Sequence, residues 1–182
     1  MLGTMFGPMF AAMWMIYGII PLFAFAYIVL RWRQYREGTP SDPELGIKTT
    51  YAYFRMLGVH LLLASVALLL YLIIGDVPEG AGEDVGRTAA GLFVPGAIVF
   101  GAHHALLGRT NVAAFPNAAR LFHGFNAVLC GIAATVALTT LCVLIAQKDT
   151  PDEPAKIAAV VLAVYGLGFS AHLRVLGLGR AA

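Results

Sequence analysis

The sequence predicts an all-α integral membrane protein, a five-helix transmembrane bundle with its N-terminus out and its C-terminus in. Three observations predict it. Hydrophobic residues make up 59% of the 182-residue chain and charged ones only 12%, for a mean hydropathy of +0.79, far from the balance of a soluble domain. Five continuous apolar stretches, at about 10–30, 56–74, 89–107, 121–145 and 157–176, are each long enough for a crossing that needs roughly 20 helical residues. Nine of the 12 basic residues fall on one side of these stretches, and the side richer in Lys and Arg faces the cytoplasm. Continuously apolar runs also argue against a β-barrel, whose strands alternate apolar and polar residues over about ten positions.

The first stretch has no basic residue ahead of it and Arg31-Trp32-Arg33 directly behind it, so it reads as a reverse signal-anchor. A cleavable signal peptide is disfavoured, because the basic leader is missing and the apolar run is too long. The second helix is expected from Pro43, since Asp42-Pro43-Glu44 places a proline at a first helical position. Running to Ile74 it would span about 48 Å, so that its first turns project into the cytoplasm. Pro116 and Pro154 open the fourth and fifth helices in the same way, and Pro21 and Pro95 are expected to kink the first and third. The helices are therefore expected at about 10–30, 43–74, 89–107, 116–145 and 154–177 of a single transmembrane domain, 1–182. Between them, 75–88 and 147–156 read as connectors rich in acids, Gly or Pro.

No segment outside the helices is large enough to be a domain, so any activity belongs among the helices or at their ends. All five histidines lie at the same end of apolar stretches: His60, His103, His104, His123 and His172 each fall within six residues of Arg55, Arg109, Arg120 or Arg174. They come from four helices at similar depth. Two of them brought together across a bundle have the makings of a bis-histidine haem b site, and the same belt suits a quinone. His60, His104, His172 and His123 are the candidates, with His60 paired to His172 or His104 first among them. Arg55, Arg120 and Arg174 are the candidates for lipid headgroups. The plainer reading is that these rings are interfacial side chains meeting water or phosphate.

A second polar line, His123, Asn126 and Cys130, shares one face of the fourth helix and suits contacts between helices. Small residues such as Gly96 and Gly131 suit close helix packing. Met1, Met5, Met9 and Met13, four residues apart, suit either a docking stripe or soft ligands for Cu(I). There is no CxxC or HxxxH spacing for a metal site, and no residue is assigned a catalytic role.

Several activities are excluded on chemical grounds. No apolar stretch contains an Asp, Glu or Lys, which removes the embedded carboxylate of an ion-coupled carrier and the lysine of a retinal pigment. A net charge of +2 lies in the loops and gives no support to nucleic-acid binding. Two functions remain as expectations. The first is a non-catalytic inner-membrane subunit or scaffold that anchors or assembles a protein partner. The second is a redox subunit holding haem b or quinone through histidines at the cytoplasmic side.

Overall fold

The computed structural model describes residues 21–38, 42–75, 77, 80–111, 117–147 and 152–177. Within them all regular structure is helical, and four helices are long and apolar enough to cross a membrane. The first predicted segment is seen as a helix over 21–36, here α1. Its upstream half, with the methionine stripe, lies outside the described residues. The others are α2 (Leu45–Ile74), α3 (Ala81–Gly108), α4 (Asn117–Ala146) and α5 (Asp152–Leu176).

Local chemistry accounts for the boundaries. The turn after α1 closes where Gly38 takes φ +62°, a left-handed conformation that side chains resist. The helix α2 starts two residues later than Pro43, because Asp42 holds the turn before it: its Oδ1 accepts the Glu44 N–H at 2.9 Å and its carbonyl accepts the Leu45 N–H at 3.2 Å. At 30 residues α2 is about 45 Å long, half as long again as the roughly 30 Å hydrocarbon core.

The expected start of α3 is corrected. The helix begins at Ala81, and the acidic connector is half helical. Glu83 and Asp84 occupy the first turn, where negative charge meets the positive helix end, and Glu83 pairs with Arg87 one turn on at 2.5 Å. Acidic residues that read as a loop by hydropathy alone are thus good N-terminal helix residues. Pro95 lies inside α3, and the helix continues through it. The fifth helix likewise starts early, with Asp152 and Glu153 in its first turn and Arg174 in its last, both favourable to the macrodipole.

The helices pack as two hairpins. α3 lies along α2 and α5 along α4, while α2 meets both α4 and α5. No Cα of α3 comes within 8 Å of one in α4 or α5. Gly58 and Gly96 set the closeness of the first pair: a Cβ on Gly58 would stand 2.6 Å from the Phe100 backbone nitrogen, and one on Gly96 would stand 3.0 Å from Leu61 Cβ. Ser65 Oγ, fully buried, crosses the same interface to donate to the Ala89 carbonyl at 2.8 Å. α1 joins the bundle through Ala26, which is buried in one cluster with Ala52 and Met56 of α2, Leu107 of α3 and Phe122 of α4. This arrangement leaves α2 central and sets α2, α4 and α5 around one interior.

Candidate functional site

Three of the five histidines meet in that interior, one from each of its helices. His123 of α4 and His172 of α5 approach until their Nδ1 atoms are 3.0 Å apart, with ring centroids 5.3 Å apart. A neutral imidazole carries one N–H, so one ring donates through Nδ1 and the other accepts there, and the two hold opposite tautomers. His60 of α2 lies beside them with its ring stacked on Tyr165 of α5, centroids 6.3 Å apart and planes 20° apart. Half-buried Arg55 acts electrostatically on both His123 and His172.

Asn126 completes the cluster. It is 4% exposed and donates through Nδ2 to the Phe122 carbonyl of its own helix at 2.9 Å. Its Nδ2 is thus used within its own helix, while the side chain also faces His60 of the neighbouring α2. Among the described residues, no group other than each other stands ready to pair with buried Asn126 Oδ1 and His60 Nε2. The two side chains face each other, one offering an acceptor and the other a ring nitrogen of either role. Buried polar atoms left unmatched cost about 1–3 kcal/mol each, so an adjacent pair forms a polar recess suited to a hydroxyl, a carbonyl or water. Cys130, on the same face of α4, is buried against Gly168 and Tyr165.

The remaining histidines stand apart, for the reason that no Cα of α3 comes within 8 Å of α4 or α5. His103 donates Nδ1–H to the Val99 carbonyl at 2.8 Å and stacks on Phe54. His104 is exposed and stacks on Phe100 of its own helix, which removes it as a partner for His60. Arg120 and Arg174 are exposed.

Two imidazoles on opposite sides of a haem iron need about 4 Å between ligating nitrogens, at roughly 2 Å per bond. His123 and His172 instead hydrogen-bond directly through their Nδ1 atoms at 3.0 Å. Among the described residues no group of three or more His, Cys, Asp or Glu side chains is arranged to hold a metal ion. What the cluster offers is hydrogen bonding to a small polar group, next to an apolar groove of about 390 Å³ between α2, α3 and α5 that includes Ala67, Val85, Val160 and Tyr165.

Two features escape the sequence reading. Lys48, at the start of α2, is buried and pairs there with Asp42. Tyr71 near the end of α2 donates to Glu153 of α5 at 2.7 Å, joining the far ends of the two helices. Neither pairing has a spacing signal, since the partners are six and 82 positions apart. Comparison of the chain with family models, with curated proteins and with solved structures finds no match.

Proposed function

We propose that the chain is a subunit of the cell inner membrane that crosses it five times, N-terminus out and C-terminus in, and acts as a non-catalytic scaffold for a protein partner in the membrane. The observation that carries this reading is the one-sided packing of α3. Its Gly96 is filled by α2, yet no described atom comes within 4 Å of where a Cβ would stand on Gly91, Gly101 or Gly108. Small residues on an open face of a membrane helix let a second helix approach closely, which is how helices associate where lipid removes the hydrophobic drive. Within the bundle, by contrast, His123 and His172 satisfy each other, as groups in a structural core do.

The test is native mass spectrometry of the complex extracted gently from its own membrane, on the wild type and on Gly101→Leu. The scaffold reading expects a second polypeptide with the 19.3 kDa chain, lost in the variant while the chain itself stays folded. A chain that always emerges alone overturns it.

A second reading is favoured by one specific observation, the buried His60 Nε2 and Asn126 Oδ1 beside an apolar groove. On it the protein is a redox subunit whose cluster takes a quinone ring, with a carbonyl oxygen against His60 and the prenyl tail in the groove. Solvent extraction of the purified protein, followed by mass spectrometry of quinones, tests this. His60→Leu and Asn126→Leu lower the quinone recovered per chain, and His104→Leu leaves it unchanged; equal recovery from all three removes the reading.

A further inference from the structure

A separate groove of about 450 Å³ runs between α1 and α4, away from the histidine cluster. Its walls are apolar, Val29 and Leu30 from α1 and Leu121, Phe125 and Val128 from α4, and Arg33 and Arg120 line it as well. The two arginines fall at the same end. Arg33 lies one turn beyond Val29 toward the C-terminal end of α1, while Arg120 lies one turn before Gly124 at the N-terminal end of α4. Leu30 packs with Leu45 and Ala118, which puts those two helix ends side by side.

The charge state of that end favours an anion. Arg33 is held through Nε by Glu37 at 2.6 Å, which leaves its other two guanidinium nitrogens free of that carboxylate. No described carboxylate pairs with Arg120, which is exposed. Trp32 and Tyr35, on the same turn as Arg33, are 57% and 88% exposed, as aromatic residues are at the headgroup level of a membrane. The other end of the groove is wholly apolar, and Gly124 leaves it open, with no described atom within 4 Å of a Cβ there. Cationic rim, apolar channel and interfacial depth are thus in one line.

We infer that this groove binds an anionic phospholipid, its phosphate between Arg33 and Arg120 and an acyl chain along Leu121, Phe125 and Val128. Guanidinium groups pair with phosphate oxygens through two parallel N–H donors, so two of them hold one phosphate better than a zwitterionic headgroup, whose ammonium they repel. The volume lies within the range of built ligand sites, roughly 300–1,000 Å³. The site is independent of the scaffold and quinone readings and survives the failure of either.

The experiment adds phosphatidylglycerol or phosphatidylcholine with the same chains to delipidated protein in detergent and counts retained lipid by native mass spectrometry. Wild type retains phosphatidylglycerol preferentially. Arg33→Gln or Arg120→Gln weakens its retention about five-fold and the double variant about 30-fold, as expected for about 1 kcal/mol per basic residue at a membrane surface. Gly124→Leu, which fills the groove and keeps both charges, lowers it as well, and Arg174→Gln leaves it unchanged. Equal retention of the two lipids by the wild type overturns the inference without any variant, as does a double variant that retains phosphatidylglycerol fully. Displacement of phosphatidylglycerol by millimolar glycerol phosphate makes the arginines a site for free phosphate esters and overturns the lipid assignment.

Discussion

Lys48 Nζ stands 2.5 Å from Asp42 Oδ2, and the two side chains are 2% and 3% exposed. The lysine also donates to the Asn111 carbonyl, while Glu44 accepts the Asn111 N–H at 2.8 Å, so the start of α2 grips the segment that follows α3. Two buried charges matched in this way behave as a unit: removing one partner strands the other away from water, at about 3–5 kcal/mol. Lys48→Met should therefore lower unfolding free energy in detergent by that amount, measured by denaturant titration. Adding Asp42→Asn to it should cost less than the sum of the two single changes, with a coupling of roughly 1–3 kcal/mol in the cycle. Strict additivity would show that the pair is not an energetic unit.

That clasp marks where the sequence ceases to be legible. The apolar run of α2 is visible because hydropathy is a local property, and its start near Pro43 follows from turn chemistry within three residues. Lys48 has Glu44 one turn back, the spacing at which a helix surface pair forms, yet its partner is Asp42 and Glu44 instead reaches Asn111. The choice is made by the chain returning from α3, which no local pattern records. The start of α3 escapes hydropathy for a related reason: Glu83 and Asp84 are polar enough to score as loop, whereas the helix dipole favours them in a first turn. For the site, spacing to arginines groups the five histidines at one end of the apolar stretches. Which three converge depends on α3 packing along α2, and this excluded His104.

Gly58 and Gly91 give a matched pair of glycine substitutions. A Cβ on Gly58 meets the Phe100 nitrogen at 2.6 Å, backbone that cannot turn aside, so Gly58→Ala forces α2 and α3 apart. The expected loss is about 1–3 kcal/mol, the usual cost of overpacking. Gly91 has open space, and Gly91→Ala should change the stability of the isolated chain by no more than about 0.5 kcal/mol. Thermal unfolding of both variants in one detergent checks the contrast. Equal losses would mean that the close approach at Gly58 is not what holds this pair of helices.

The contact between His123 and His172 predicts a spectroscopic signature. Because both Nδ1 atoms share one hydrogen bond, one ring is protonated at Nδ1 and the other at Nε2. Histidine-selective ¹⁵N labelling should resolve one of each, and His123→Leu should abolish the coupling between them. The stability cost of either single replacement by leucine is near 1 kcal/mol, the low end for an orphaned polar group, since both rings are half buried. Replacing both should cost no more than replacing one.

The proposed orientation makes a prediction at two exposed carboxylates. Glu37 closes the turn after α1, on the side that holds Arg31, Arg33, Arg36 and Arg120, while Glu83 opens α3 on the side that holds Asp84, Asp152 and Glu153. Both are exposed, and the pairs they form, with Arg33 and Arg87, are surface pairs whose loss costs little. Glu37→Cys and Glu83→Cys, made in a chain with Cys142→Ala, thus report topology with little disturbance to the fold. Cys130 is buried and stays silent in that background. A thiol reagent that cannot cross the membrane should label Glu83→Cys from outside intact spheroplasts, and should reach Glu37→Cys only after the membrane is opened. The reverse pattern would turn the protein over and place the arginine-rich ends outside. Labelling of both from one side would mean that α2 does not cross the membrane.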